Sequence, residues 1–355
     1  MQLDLRSLSI LFVAAASNKI GFGHLNRCLS LATCAQKLGA DVSFLVFGSA
    51  SAEARIIDAG FNCAVLEESK MHTVDWAQSD RLQADVVITD LFFPGFFVAS
   101  MPATVFCHLR NLGKLLVAID VLGEGSIIGK PHQIEVDIVV SPYVMSCGDM
   151  LEMPWRYLRG PEYALLGAEY ANLPPRIQRT SANRVLVSCG GSDPNRYTLQ
   201  VLLGLEVVPQ ALDIHVIAGP LSYSDLHTEV ENLATQSRHR ITLLTAPLSL
   251  LNEMLWCDLA ICASGLTKYE LAASATPALL FSIDAHHDWV NRPFISMQTA
   301  IDLGVGVSSE RIARDTSRLL RSVALRRTMA KYGRMLIDGG GAERLFSEIK
   351  KELSC

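Results

Sequence analysis

No run of about 18 uninterrupted apolar residues occurs in this chain, so a membrane-spanning helix is not expected. The absence is informative because half of the 355 residues are hydrophobic and the mean hydropathy is +0.26. An excess of basic charge is also missing. Lys and Arg number 31 against 36 Asp and Glu, the formal net charge is −5 and the pI is near 6.0. Neither value offers a footprint for nucleic acid. The nine cysteines include no Cys-x-x-Cys pair. Cys28, Cys34, Cys189 and Cys262 fall in apolar patterns, which points to reduced, packed thiols in a cytoplasmic protein. An acid, Asp4, comes early, and the apolar run behind it leads straight into a glycine loop. A strand is therefore expected there rather than a signal peptide. No internal repeat is detectable. With 19% charged residues the chain is not of disordered composition,. Its length suits two domains of roughly 100–200 residues each.

What the chain does have is a glycine loop with a histidine in it. The apolar run over residues 8–16 reads as a buried first strand, and Ile20-Gly21-Phe22-Gly23-His24-Leu25-Asn26-Arg27-Cys28 follows. Leu25, Cys28, Leu29, Ala32 and Leu38 then fall on one helical face, closed by Gly39,. In an open parallel sheet such a corner lies at the carboxyl end of the strands, where ligands bind. A helix start adds N–H groups that favour an anion. Asn26 stands where a dinucleotide fingerprint would carry its third glycine, which argues against that fold of cofactor site. Two readings of His24 stand at this point: a helix-start residue that caps or packs, and an imidazole in a ligand crevice.

Buried strands are expected at 41–47, 64–66, 84–90, 115–120 and 136–141, alternating with helical segments. That alternation implies a parallel sheet with helices on both faces. Asp90 and Asp120 end two of the strands. They read either as turn-formers or as a base or acceptor for sugar hydroxyls. The polar, proline-bearing stretch over 171–183 marks a domain boundary,. The pattern then restarts with a strand at 184–189 and the loop Gly190-Gly191-Ser192-Asp193-Pro194-Asn195. We expect domains over 1–172 and 183–338, with a closing helix over 339–355 that packs back on the first domain. Further on, a strand enters Ser264-Gly265-Leu266-Thr267-Lys268-Tyr269-Glu270. Here too there are two readings. Thr267-x-x-Glu270 is a capping box, or the loop approaches a diphosphate while Glu270 accepts ribose hydroxyls.

Three stretches together resemble one family. They are Gly21-x-Gly23-His24-x-x-Arg27, Gly160-Pro161-Glu162-Tyr163-Ala164-Leu165-Leu166 and Gly190-Gly191-Ser192-Asp193-Pro194-Asn195. They look like the PseG-type UDP-2,4-diacetamido-2,4,6-trideoxy-sugar hydrolases, in family order over most of the chain. Asp338-Gly339-Gly340-Gly341-Ala342 is similar to that family's closing segment. Ser264-Gly265-x-Thr267-x-x-Glu270 before Pro277-Ala278-Leu279 is similar to the nucleotide segment of the wider glycosyltransferase-B superfamily. The resemblance implies an α/β, glycosyltransferase-B-like fold, two Rossmann-like doubly wound domains facing a cleft. It implies a monomer or dimer without cofactor or metal that releases UDP from a UDP-sugar by water attack at the anomeric carbon. By the same resemblance His24 is the catalytic base, with Gly21, Gly23, Arg27, Asp90 and Asp120 on the sugar side. Gly190, Gly191, Ser192, Ser264, Gly265, Leu266 and Thr267 hold the diphosphate, and Glu270 holds the ribose. His287 and Asn291 are candidates for the cleft.

The sugar side departs from the family pattern. Asp90-Leu91-Phe92 replaces Asp-His-Tyr, Asp120-Val121 replaces Asp-Asp, and Ser141-Pro142-Tyr143 replaces a segment bearing asparagine. Phe92 cannot donate the hydrogen bond of a tyrosine. His286-His287-Asp288 stands near where relatives carry Asn or Gln, and adjacent residues seldom chelate one ion, so a solvated loop is expected there,. A conserved phosphate side with an altered sugar side leaves two alternatives to hydrolysis. One is transfer of the sugar to an acceptor hydroxyl by the same fold. The other is a nucleotide-sugar-binding protein without catalysis.

Overall fold

Residues 3–17, 20–72, 82–91, 101–120, 134–142, 154–306 and 308–354 are described by the computed structural model, with 101–104 and 286 described in backbone only. Phe92, Val121 and Tyr143 lie outside these residues. The chain divides into two units, Met1–Ala168 with Gly339–Cys355, and Glu169–Asp338.

The first unit opens on β1 (Ser9–Ala16), buried along all but its first residue. A strand that is apolar on both faces belongs in the middle of a parallel sheet. It pairs in parallel with β2 (Asp41–Gly48) on one side and β4 (Ala84–Asp90) on the other. The helices α1 (Gly23–Lys37) and α2 (Ala50–Asp58) connect β1, β2 and β3 (Asn62–Leu66). Helix α3 (Met101–Arg110) precedes β5 (Gly113–Ile119), and β6 (Ile138–Ser141) and β7 (Arg156–Arg159) complete the sheet. The strand order is β3-β2-β1-β4-β5-β6-β7. The chain winds one way from β1 to β3 and the other way from β4 onward. The reversal between β1 and β4 opens a crevice at the strands' carboxyl ends, where open α/β sheets bind ligands.

The second unit repeats the plan. Strand β8 (Arg184–Ser188) leads through α4 (Tyr197–Glu206) to β9 (Asp213–Ala218), and α5 (Leu226–Gln236) leads to β10 (Arg240–Thr245). Helix α6 (Leu251–Trp256), β11 (Leu259–Ala263), α7 (Thr267–Ala273), β12 (Ala278–Ser282), α8 (Ala285–Ser296) and β13 (Ala300–Val305) follow. The sheet order β10-β9-β8-β11-β12-β13 puts its reversal between β8 and β11. Helices α9 (Ser309–Arg321) and α10 (Val323–Leu336) close the unit, started by the hydroxyls of Ser308 and Ser322 as N-caps,. The stretch expected as a linker is strapped onto this unit. Arg176 donates to the Met254 carbonyl at 2.6 Å, Gln178 to the Ala275 carbonyl at 3.2 Å, and Arg179 to Asp258 at 2.8 Å. Proline and polar residues marked its lack of secondary structure, and the side chains that dock it carried no pattern.

The last helix, α11 (Gly341–Glu352), belongs to the first unit. Its Leu345, Phe346 and Ile349 are fully buried. Arg156 of β7 pairs with Glu348, and Arg344 donates to the Glu162 carbonyl at 2.7 Å. Among the described residues no helix is long and apolar enough to cross a membrane, and seven cysteines are free thiols.

Candidate functional site

In the first unit Asp90 ends β4 beside Ala14 of β1, and the chain leaving β1 turns into α1. Gly21 makes that turn possible. Its φ is +84°, and its N–H donates to the Ser17 carbonyl at 2.8 Å,. His24 and Arg27 sit three residues apart on α1, so both side chains reach the same carboxylate. His24 Nδ1 lies 2.7 Å from Asp90 Oδ1. Arg27 donates from Nε to Oδ2 at 2.6 Å and from its terminal nitrogen to Oδ1 at 3.1 Å. All three residues are buried, Asp90 completely. Burial alone pushes the Asp90 carboxyl up. The Arg27 guanidinium and His24 outweigh it and hold the group below the usual carboxylate range,. An ionised carboxylate only accepts hydrogen bonds, so Nδ1 carries the hydrogen and Nε2 is the ring's basic nitrogen.

Asp120 follows β5, the strand beside β4, and is buried with its N–H on the Val140 carbonyl at 2.8 Å. It lies at the same sheet edge as Asp90. Gly23 opens α1. Asn26 accepts from Arg55 Nε at 2.7 Å and so ties α1 to α2. The family resemblance puts Arg27 and Asp90 on the sugar side singly, and nothing local in the sequence joins them to His24, because the contacts span more than sixty residues.

In the second unit the loop after β8 and the loop after β11 stand at the reversal of the sheet. Gly190 has φ +96°, Gly190 and Gly191 are exposed, and Ser192 is half-buried. Asp193 accepts from the N–H groups of Tyr197 and Thr198 at 2.8 and 2.9 Å. The start of α4 is thereby occupied by the protein's own carboxylate, which leaves the glycine loop rather than the helix to face an anion. Gly219, after β9, touches the loop from behind. A Cβ there would lie 2.4 Å from the Gly191 oxygen and 2.5 Å from the Gly190 oxygen. Gly219→Ala is expected to cost about 2 kcal/mol in denaturant unfolding.

After β11, both the N–H and the hydroxyl of Ser264 donate to the Phe281 carbonyl, at 3.1 and 3.0 Å. Ser264 therefore anchors the turn, and Gly265, Leu266 and Thr267 remain exposed or half-buried ahead of it. Asn291 is buried beneath. It donates to Ser264 Oγ at 2.5 Å and to Ser282 Oγ at 3.1 Å. Thr267 is the first helical residue of α7, and no side chain caps that helix, so the capping-box reading of Thr267 and Glu270 does not hold. Glu270 is half-buried and feels the charge of Glu169, while the Tyr170 hydroxyl donates to Met254 Sδ at 3.8 Å. Burial first, and then the Glu169 charge, push Glu270 up to about 7. His287 belongs to the start of α8: its N–H and its Nδ1 both meet the N-cap Asp284, at 2.9 and 2.7 Å. Tyr170 and Glu169 had no motif to flag them.

No protein-family model matches the chain. It is 28% identical over 193 residues to the spore coat polysaccharide biosynthesis protein SpsG of Bacillus subtilis, covering 54% of this chain and 57% of that protein. The matches span about half the length of the curated relatives. The structure resembles MurG of Acinetobacter baumannii with a TM-score of 0.64 and 14% identity, over 97% of this chain and 99% of that one. It also resembles S. aureus MnaA with UDP, at a TM-score of 0.60 and 12% identity, over 98% and 97%. The fold is that of the glycosyltransferase-B proteins, two parallel-sheet Rossmann-like units.

Proposed function

We propose that the chain is a nucleotide-sugar hydrolase that releases UDP from a 2,4-diacetamido-2,4,6-trideoxyhexose or a related amino sugar. The process would be nonulosonic (pseudaminic) acid or surface-polysaccharide biosynthesis. The observation that carries this reading is the hydrogen bond from His24 to a buried Asp90 that Arg27 holds ionised. Nε2 of His24 takes a proton from water as the water oxygen bonds to the anomeric carbon. The bond from that carbon to the diphosphate oxygen breaks, and UDP leaves with the electron pair. Free sugar and UDP are the products, and the imidazolium returns its proton to solvent. Asp90 orients the ring and stabilises its charged form. Gly21, Gly23 and Asp120 face the sugar. Gly190, Gly191, Ser192, Gly265, Leu266 and Thr267 meet the diphosphate with backbone groups, and Ser264 anchors their turn.

The name of SpsG supports the polysaccharide setting, and the UDP in the MnaA structure supports the nucleotide. Transfer to an acceptor hydroxyl is the second reading. It is favoured by Phe92 and Val121 on the sugar side, which remove a hydroxyl and a carboxylate from the hydrolase pattern. Incubation with UDP-sugars decides between them. UDP release without acceptor supports hydrolysis, release only with acceptor supports transfer, and binding without release identifies a non-catalytic binder.

Glu270 provides a separate prediction. Its carboxylate accepts both ribose hydroxyls in this reading, and that form accumulates as pH rises through about 7. Glu270→Gln is expected to weaken UDP binding by about 10- to 100-fold at pH 8, measured by calorimetry. The same variant is more stable than wild type at pH 8 and equal to it at pH 4. Between the ordinary carboxyl value and about 7 the folded protein keeps a proton that the unfolded chain has released, so wild type loses stability as pH rises through that window,.

A further inference from the structure

The proposed reaction gives Lys268 no task, yet its position is costly. The side chain is 4% exposed, two residues past the 264–266 turn. Its Nζ donates to Asn291 Oδ1 at 3.2 Å and lies over the rings of Tyr269 and Phe294, at 5.7 and 5.5 Å. Strand β11 presents the Cys262 thiol, which burial pushes up to about 12 and so keeps neutral. Strand β12 presents Ser282 and α8 presents Asn291 and Phe294. Helix α10 sends Arg334 to the far end of α7, at the Ala273 carbonyl. Glu270 of α7 itself feels the charge of Glu169. Among the described residues no carboxylate forms an ion pair with Lys268. A buried ammonium without a counter-charge is unfavourable, and burial drives it down to about 8,.

The hydrogen bonds from this ammonium run in one direction. Lys268 donates to the oxygen of the Asn291 amide, which fixes which way the amide faces,. The Asn291 nitrogen therefore donates to Ser264, and the Ser264 hydroxyl donates onward to the Phe281 carbonyl. We propose that Lys268 supplies the positive charge behind the 264–266 turn for the diphosphate of a nucleotide, as a positioning residue acting through Asn291. The inference rests on the nucleotide reading above and adds the counter-charge which that reading lacked. The free protein carries an uncompensated cation, and the arriving diphosphate compensates it. Binding then favours the protonated lysine, so UDP affinity falls as pH rises above about 8, and binding in that range takes up a proton,.

The test uses the full chain with UDP and uridine as probes, by calorimetry in buffers of different ionisation enthalpy. Lys268→Met is expected to weaken UDP about tenfold at neutral pH and to leave uridine unchanged. Wild type takes up a proton on binding UDP at about pH 8.5, and the variant does not. The variant melts no lower than wild type, because it removes a desolvated charge. Equal UDP affinity and equal proton uptake in the two proteins overturn the inference and leave the nucleotide reading standing. Failure of wild type to bind UDP removes both. Carbon-13 lysine NMR on wild type keeps the test independent of the variant's folding. The Lys268 titration must move to higher pH with UDP, and an unmoved titration overturns the inference.

Discussion

His24→Ala lowers the rate of UDP release by about 100- to 10,000-fold, the range of a positioned general base, and leaves UDP affinity within a few fold. The asymmetry follows from the division of labour. The imidazole starts α1 in the first unit, whereas the glycine loop, the 264–266 turn and Glu270 belong to the second. Removing the ring removes the proton acceptor for water, or for an acceptor hydroxyl, and touches no group proposed to hold the nucleotide. The loss therefore falls on kcat and not on binding. A steady-state assay of UDP release with calorimetry of UDP on the same preparation measures both. Retained turnover in the variant would end the assignment of His24 as the base. A parallel loss of affinity would instead mean that the ring binds the nucleotide.

The elements that were legible in the sequence share a physical cause. Strands β1, β4, β5, β8, β11 and β12 are buried on both faces, so their apolar runs stood out without alternation,. Glycine at the two sheet reversals was visible because a turn with positive φ favours it, as at Gly21 and Gly190. Those two features located the corners from which the candidate residues project. The partners of those residues were not visible. Asp90 reaches His24 across 66 positions, and Gln178 reaches Ala275 across 97. No local pattern encodes a contact at that separation. Thr267 and Glu270 show the opposite failure, since the helix begins at Thr267 itself and a sound local capping motif is left unused. Lys268 sits on a helix only seven residues long, too short for its period to show which face is buried.

The second unit keeps two ionisable groups in poor electrostatic surroundings, the half-buried Glu270 beside another acid and the buried Lys268 without one. The first unit treats the buried Asp90 differently, with Arg27 on one oxygen and His24 on the other. The contrast fits their roles. A group that meets its counterpart only when ligand arrives is unfavourable in the free protein. A group that must hold an imidazole in one tautomer has to be satisfied from the start.

That satisfaction makes Asp90 the position with the largest expected effect on stability. Asp90→Ala takes away the buried carboxylate that Arg27 and His24 both bond, and is expected to cost about 3–5 kcal/mol in urea unfolding,. Arg27→Met costs a similar amount, because the buried carboxylate loses its guanidinium and keeps the His24 ring. The double variant Arg27→Met with Asp90→Ala recovers part of the loss, because neither charge is then left in the core. Strict additivity of the two single losses would show that the pair is not coupled. The pH dependence has a defined sign. The folded-state carboxyl lies below its ordinary 3.8, so near that value the unfolded chain binds the extra proton,. The pair's contribution is complete above about pH 4 and fades as pH falls further, and melting curves of wild type should show that acid limb. In Asp90→Asn the limb is reduced, because an amide does not titrate. Its NH₂ also faces donors where the carboxylate accepted from both neighbours. The ring then loses the acceptor that kept hydrogen on Nδ1, so this near-isosteric change abolishes most turnover even where the fold survives.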